Sequence, residues 1–206
     1  MQIYQRKEIL EDRGKANEYK SKIEIQKGVI EKCITAGLNF STVTGDVWYF
    51  TKDIVTFLNS KGISWVFQSK GNRRIKVKGR WTTLDSLQLY IHDSNIVNIS
   101  GNVYNIWEVE GEIKGVGYIK VVISEGKNGK RYYVTNKVEW GMIKILETYQ
   151  RRWNVEVIHR DLKQDGIGRI YLRGLCKTEL YLRLIVTGRV LLEISSIRSL
   201  HKYQSI

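Results

Sequence analysis

The spacing of apolar residues changes along the chain, and this change constrains the fold more than any other feature. Between positions 38 and 70, a β-rich segment (38–43), a helical repeat (51–61) and an apolar, β-branched segment (63–68) follow one another over short connections. Strand, helix and strand joined this tightly are typical of an α/β core with parallel pairing. The sequence therefore predicts an α/β fold.

The segments on either side of this core have other periods. Residues 17–36 carry a loose helical stripe that ends at Gly37. Residues 71–135 contain short β runs separated by glycine or asparagine, which predicts an antiparallel β insertion. Within it, the dipeptide Asn128-Gly129 is typical of a type I′ hairpin turn.

Helical spacing returns in the last third of the chain. We predict one long helix over residues 140–163 and a second, more apolar helix over residues 178–197, with Gly166 and Gly168 at the break between them. This interpretation gives three parts: the first part of the core (1–80), the β-rich insertion (81–135) and a helical completion of the core (136–206).

The charge of the chain indicates a polyanionic partner. Lys and Arg number 34 against 21 Asp and Glu, which gives a formal net charge of +13. A folded domain this basic attracts nucleic acid, although the charge is also compatible with solubility alone. A basic run at Arg73, Arg74, Lys76, Lys78 and Arg80 is either a phosphate-tracking segment or a solvated loop.

The rest of the composition excludes several other classes. Cys33 and Cys176 are far apart and have no metal-ligand spacing, which favours a reduced intracellular protein. No stretch approaches about 18 uncharged apolar residues, and the start of the sequence lacks the apolar region of a signal peptide. We therefore expect a cytoplasmic protein that does not contact a membrane.

Four residues near position 150 carry the chemistry. Arg152, Glu156 and Lys163 follow Tyr149 at offsets of 3, 7 and 14 residues. At about 100° per residue, all four would share one narrow face of one helix. The alternative is a solvated helix face, on which the Arg152–Glu156 pair would contribute only about 0.3 kcal/mol.

This spacing, Y-(2)-R-(3)-E-(6)-K, resembles the signature of the DDE transposases of the insertion-sequence-four type. Upstream, residues 46–50 (Asp-Val-Trp-Tyr-Phe) are similar to the family's second-aspartate block, in which an aspartate ends a strand ahead of an aromatic pair. Lys70, Asn72 and Arg73, which follow an apolar strand, resemble the same block further along.

The resemblance implies a ribonuclease-H-like core and a metal-dependent active site. Asp46 and Glu156 would be the second and third members of an acidic triad that holds Mg²⁺ (or Mn²⁺), because hard cations prefer carboxylate oxygens. Tyr149, Arg152 and Lys163 would bind DNA near the cut, since cations contact phosphates and tyrosine can hydrogen-bond a phosphate or stack on a base.

The resemblance also implies a reaction and its partners. Water would cleave a strand at each end of the mobile element, and the freed 3′-hydroxyl would then attack target DNA. The partners would be the transposon ends and the target, together with a second copy of the chain or a full-length transposase. The location would be the prokaryotic nucleoid.

The first aspartate of the triad has no good candidate. Asp12 is the only aspartate ahead of Asp46, and its surroundings are charged rather than strand-like. We therefore expect that the first strands of the core are absent and that the chain is a truncated transposase, inactive alone. Two alternatives remain: a non-catalytic DNA-binding remnant, and an active ribonuclease-H-type nuclease in which Asp12 or Glu11 substitutes for the missing ligand.

Two other residues could reach DNA. His159 lies one helical turn beyond Glu156, where it either touches the site or stays on the surface. Trp107, in the β-rich segment, could stack on an extruded base, although burial in the core is the favoured interpretation.

Overall fold

The computed structural model describes residues 6–87, 95–99, 102–127, 129–167 and 174–203. By its internal contacts the chain divides into two compact units. We call Lys20–Arg152 the sheet unit, and Met1–Tyr19 together with Trp153–Ile206 the helical unit.

The described residues form six α-helices, eight strands and two short turns of other helix types. In chain order these are α1 (Lys7–Asp12), a 3₁₀ turn (Ala16–Glu18), α2 (Lys22–Thr35), β1 (Thr42–Gly45), α3 (Lys52–Ser60), β2 (Ser64–Ser69), β3 (Arg74–Val77), β4 (Arg80–Thr83), β5 (Asn95–Ile99), β6 (Asn102–Ile113), β7 (Gly117–Gly126), β8 (Gly129–Thr135), α4 (Met142–Gln150), α5 (Trp153–Leu162), a π-helical turn (Lys163–Ile167) and α6 (Leu175–Tyr203).

Local signals account for the strand–helix–strand core. The side chain of Thr51 accepts a hydrogen bond from the Ile54 N–H at 3.4 Å and caps the start of α3. The chain then turns at Gly62, whose φ of +67° suits a residue without a Cβ. Strands β1 and β2 pair in parallel, with Val43 opposite Trp65. The predicted order and the parallel pairing are confirmed, although β1 begins later than predicted, at Thr42.

The strands form one sheet with the order β1-β2-β8-β7-β6-β3-β4, and β5 pairs with β6. All pairs other than β1–β2 are antiparallel. The antiparallel strands predicted over residues 71–135 are therefore present, and β8 joins them directly to β2. The fold is mixed α/β with a mostly antiparallel sheet and C-terminal helices. The predicted boundaries at 80/81 and 135/136 stay a prediction.

Apolar side chains are buried on both faces of the sheet, because alternate residues of a strand point to opposite faces. On one face, Trp65 and Phe67 of β2 pack in a large cluster with Ile54 and Leu58 of α3. The opposite face carries a smaller cluster of sheet and α4 residues: Val66, Ile106, Val122, Tyr133, Ile145, Leu146 and Tyr149. Helix α4 is thus attached to the sheet through its apolar side.

The single helix predicted over residues 140–163 is wrong. Helix α4 ends at Gln150 and α5 begins at Trp153, and between them the Arg152 N–H donates to the Tyr149 carbonyl at 2.9 Å. Neither glycine nor proline marks this break. Two turn residues displace the helical repeat of apolar residues only slightly. The repeat therefore continues across the break, and the sequence pattern does not reveal it.

The other predicted turn signals have mixed outcomes. Gly166, with a φ of +106°, breaks the helix after α5 as predicted. Gly168 and Asn128 lie outside the described residues, whereas Gly129 has a φ of +85° at the start of β8. Within the described ranges, none of the helices combines the length and the apolar composition that a membrane crossing requires.

Candidate active site

Asp46 lies directly after the end of β1, where the close packing of β1 on β2 fixes the backbone. A Cβ on Gly45 would lie 2.4 Å from the Phe67 ring, so only glycine fits this strand end without a shift. The half-buried Asp46 carboxylate then accepts a hydrogen bond from the Trp48 N–H at 2.9 Å. This bond orients the carboxyl group and uses only part of its capacity as an acceptor.

Tyr149 is held rigidly on α4. Its side chain is only 7% exposed, and its ring centroid lies 4.8 Å from that of Tyr133. The Tyr149 hydroxyl donates to Oε1 of Gln68 at 3.0 Å. Because α4 packs against β1, β2 and β8, this tyrosine is fixed against the sheet near the end of β1.

Electrostatic effects connect Tyr149 with Arg152 and Asp46. Burial raises the pKa of the Tyr149 hydroxyl, Arg152 opposes that rise through its charge and a hydrogen bond, and the Asp46 carboxylate adds to it. The guanidinium carbon of Arg152 lies 5.5 Å from the centroid of the Tyr149 ring. The sheet unit therefore contains three of the five predicted site residues, and Asp46 acts on Tyr149 although it is distant from the other two in the sequence.

The other two predicted residues, Glu156 and Lys163, lie in the helical unit. They line a cleft of about 820 Å³ with His159, Arg160, Gln164, Asp165 and Gly166. Glu156, in the first turn of α5, is half-buried, and Lys163, at the start of the π-helical turn, is exposed. His159 is exposed and lines the cleft, so it reaches the same surface as Glu156.

Acidic and basic side chains also connect the helices of this unit. Arg189 of α6 lies 2.7 Å from the Asp161 carboxylate of α5 and 3.9 Å from that of Asp165. The side chains are partly exposed, so the pairs contribute modestly to stability. Their effect is to position α6 against the end of α5, where Lys163 begins the next turn.

A second cleft, of about 430 Å³, lies in the sheet unit beside Asp46. Its lining residues come from the segment after Asp46 and from the segment after β2: Val47, Trp48, Phe50, Thr51, Lys70, Asn72, Arg73 and Arg74. Arg73 donates to the Phe50 carbonyl at 2.8 Å and lies 4.7 Å over the Phe50 ring, and its burial lowers its pKa. Arg73 therefore connects the two segments.

The basic run after Arg73 is a hairpin rather than a loop. Strands β3 and β4 pair tightly, and Lys78 and Gly79 occupy the turn with φ values of 48° and 82°. Ile75 faces the core, whereas Arg74, Lys78 and Arg80 are exposed. The hairpin thus presents cations to solvent, which is compatible with phosphate contacts.

Two residues that act on the site, Gln68 and Arg131, were not predicted from the sequence. The favoured placement of Trp107 is correct. Gln68 holds the Tyr149 hydroxyl, and its signal was a polar residue within an apolar strand. Arg131 of β8 acts on the pKa of both Tyr133 and Tyr149, and no local pattern pointed to it. Trp107 is partly buried against the larger cluster, as favoured.

Two carboxylates, Asp46 and Glu156, are of the chemical type that a hard divalent cation requires. Asp46 belongs to the sheet unit and Glu156 to the helical unit. In the part of the chain that the structure describes, no group of three or more His, Cys, Asp or Glu side chains is placed to hold a metal ion. Cys33 and Cys176 are both free thiols.

Residues 3–200 match the family model described as "Archaeal putative transposase ISC1217". No curated protein matches the chain.

Proposed function

The chain belongs to this archaeal family of DDE-type transposases, and from that premise we propose that it binds DNA and contributes Asp46 and Glu156 as metal-holding carboxylates. The DNA would be the ends of the mobile element and its target. The ribonuclease-H-like identity of the core and the narrower assignment to the insertion-sequence-four type are part of this proposal.

The grouping of Asp46, Tyr149 and Arg152 in the sheet unit is the observation that carries the proposal. The Asp46 carboxylate, which follows a strand end, and the Arg152 cation both act on the pKa of the buried Tyr149. Arg152 can contact a phosphate, and its guanidinium lies over the ring of Tyr149, whose hydroxyl is bound to Gln68. Arg152 would bind the phosphodiester, and Asp46 would hold the metal ion near it.

The cleft of the helical unit supports the second half of the proposal. Glu156, His159 and Lys163 line one cavity, so a carboxylate and two groups that can bind phosphate share a surface. Lys163, which is exposed, would neutralise a phosphate of the bound strand. Glu156 would serve as the second carboxylate for a divalent ion.

Mg²⁺ or Mn²⁺ bound to these carboxylates would activate the attacking oxygen and stabilise the leaving one. In the reaction that the family implies, the oxygen of water bonds to phosphorus and the 3′-oxygen leaves as a hydroxyl. That hydroxyl then attacks a phosphorus of target DNA and displaces the target's own 3′-oxygen. Tyr149, Arg152 and Lys163 would bind and orient the strand throughout.

We further propose that the chain alone binds DNA without cutting it. Asp12 is an exposed residue at the end of α1 rather than at the end of a strand. Glu11 forms an ion pair with Lys7 at 3.4 Å. Neither has the setting of a triad carboxylate, and a site with two carboxylates holds a divalent ion weakly. These placements disfavour the nuclease alternative.

The test combines binding and cleavage of one DNA duplex by the chain and by its Asp46→Ala and Glu156→Ala variants. We expect binding that weakens steeply with salt and no Mg²⁺-dependent cleavage by any of the three proteins. Cleavage that both substitutions abolish would support the two carboxylates and would overturn the proposed inactivity. Failure of the parent chain to bind DNA would overturn the proposal as a whole.

Two further variants test the carboxylates without requiring cleavage. Asp46→Asn and Glu156→Gln remove a charge that repels phosphate, so both should bind DNA more tightly than the parent when Mg²⁺ is chelated. Addition of Mg²⁺ should strengthen binding by the parent and leave the variants unchanged. An equal response to Mg²⁺ in all three proteins would contradict a metal-holding role.

The role of Lys163 can be measured separately. Affinity for DNA falls as salt rises, and Lys163→Ala should make the slope of log affinity against log salt shallower by about 1, because one phosphate contact is lost. Lys177→Ala is the matched control, since Lys177 is exposed on α6 and is not among the residues that line the cleft. Equal slopes for both variants would exclude a specific contact by Lys163.

A further inference from the structure

The side chain of Trp48 is 83% exposed, two residues after Asp46. Tryptophan is normally among the more deeply buried residues, so this exposure needs a reason. We propose that the cleft beside Asp46 binds an unpaired stretch of DNA strand, and that Trp48 is the surface on which a base stacks. This inference rests on the proposed function and adds a binding site to it.

The backbone holds the indole outward. The Trp48 N–H donates to the Asp46 carboxylate, and the Tyr49 N–H donates to the Asp46 carbonyl at 3.2 Å. These bonds fix a turn in which the side chain of Trp48 is exposed and that of Phe50 is buried. Phe50 points inward and packs on Trp65 and Phe67, with ring centroids 5.9 and 6.0 Å away. Trp48 points away from that core, on a turn that is already ordered.

Two cations that line the cleft each lie over an exposed aromatic ring, and one of these rings, that of Trp48, also lines the cleft. The Lys70 ammonium lies 5.9 Å from the centroid of the Trp48 ring. The Arg74 guanidinium, further along the lining, lies 5.6 Å over the ring of Trp81, which is 43% exposed. Lys70 and Arg74 are both exposed, so their charges are accessible to phosphates. Grooves that bind single strands have this combination, because cations follow the backbone and aromatic rings stack on bases.

An unpaired strand fits this surface better than a duplex does. Base faces inside a duplex are covered by neighbouring base pairs, whereas the indole of Trp48 offers stacking only to a base with an open face. The backbone N–H of Trp48 donates to the Asp46 carboxylate, so the residue that carries the indole is held next to that carboxylate. The cleft would therefore hold the strand beside the point of cleavage.

The experiment compares a fluorescently labelled single-stranded oligonucleotide with the blunt duplex of the same sequence, by fluorescence anisotropy at fixed salt. Trp48→Ala should weaken binding of the single strand by about 5- to 150-fold and leave duplex affinity unchanged. Trp48→Phe, which retains an aromatic face, should recover part of the loss. Circular dichroism should be unchanged, since the indole is not part of the core.

The matched control is Trp153→Ala, which removes a 63% exposed tryptophan that does not line this cleft. It should leave both affinities unchanged. An unchanged affinity of Trp48→Ala for the single strand would overturn the inference, as would equal weakening for both forms of DNA, and the proposed function would stand in either case. If the parent chain bound neither DNA, the proposed function would fail as well.

Discussion

The residues of the candidate site are positioned by packing in the sheet unit and by charged contacts in the helical unit. In the sheet unit, apolar side chains are buried on both faces of the sheet, and α4 contributes Ile145, Leu146 and Tyr149 to one of those faces. In the helical unit, α5 has no buried side chain, and the described side chains of α6 are exposed or half-buried. Packing therefore positions the first group, and charged contacts position the second.

This difference separates the residues of one sequence signature. Tyr149 is part of a core, so its replacement should change stability as well as DNA binding. Glu156, seven residues later, lines a charged cleft, so its replacement should change binding with little effect on stability. A residue's place in a motif consequently does not reveal whether the fold depends on it.

The largest expected effect comes from substitutions on either side of the turn between α4 and α5. Tyr149→Ala should lower the free energy of unfolding by about 3–5 kcal/mol, because it removes a buried ring that packs on Tyr133. Trp153→Ala should change it by less than about 0.5 kcal/mol, because the side chain is exposed. Urea unfolding followed by fluorescence and circular dichroism measures both.

Tyr149→Phe separates the contribution of the Tyr149 hydroxyl to stability from that of its ring. It keeps the ring and removes the hydroxyl that donates to Gln68, so the loss should be about 1 kcal/mol. Similar losses for Tyr149→Ala and Trp153→Ala would contradict the distinction between a packed unit and an exposed helix.

A smaller effect is expected at the strand end that carries Asp46. Gly45→Ala should cost about 1–3 kcal/mol, because the new Cβ would lie 2.4 Å from the Phe67 ring. Gly28→Ala, in the middle of α2, is the control, since nothing lies within 4 Å of its Cβ position. That substitution should stabilise the protein by about 0.5–1 kcal/mol. If both substitutions lowered the free energy of unfolding, or both raised it, the close packing of β1 on β2 would be disproved.

Alkaline pH should weaken the sheet unit. Burial raises the pKa of Tyr133 and of Tyr149 above the ordinary value of about 10. Above that pH the unfolded chain loses these protons before the folded chain does, so stability is full below pH 10 and falls as pH rises through the folded pKa. The urea midpoint at pH 11 should be lower than at pH 9.

Phenylalanine substitutions identify the residues responsible for this pH dependence. Tyr133→Phe and Tyr149→Phe remove the ionisable hydroxyl, so each should reduce the drop in the urea midpoint. The near-ultraviolet circular dichroism of the buried aromatic residues should follow the same transition. A drop of the same size in both variants as in the parent would mean that other groups cause it.

The smallest effect is expected in the helical unit. Arg189→Ala removes the contact with Asp161 at 2.7 Å, and the partly exposed pair should contribute less than about 1 kcal/mol. About 1 M salt should reduce the difference, because it screens charges beyond roughly 3 Å. Arg183→Ala, which breaks an (i, i+4) pair with Glu179 within α6, is the matched control with an expected loss of about 0.3–0.5 kcal/mol. A salt-independent loss at Arg189 would indicate packing instead.

Much of the core was predictable because its signals are local. The helical spacing over residues 51–61 and the apolar strand over residues 63–68 are patterns within a few residues of each other, and α3 and β2 lie there. The break at Arg151 and Arg152 was not predictable, since neither residue disfavours a helix and the apolar period continues across the turn. The helix ends there although no residue within it requires an end.

The candidate site was predictable in its residue types and less so in its surroundings. Spacing selected Tyr149, Arg152, Glu156 and Lys163, and the resemblance to the transposase family added Asp46. The family match supports the transposase interpretation behind that choice. Their roles stay a prediction. Gln68 and Trp48 needed the structure, because a hydrogen bond across the sheet and the exposure of an indole depend on what packs nearby.

The sequence by itself determined where strands and helices alternate, the excess of positive charge, and the family to which the chain belongs. These properties reside in composition, in short-range periodicity and in the order of residues. Tertiary structure alone decided that β8 lies beside β2, that Tyr149 is buried while Trp48 is exposed, and that Asp46 and Arg152 act on the same tyrosine. A repeat of apolar residues specifies which face of an element is buried, but only packing between distant segments selects the partner that covers it.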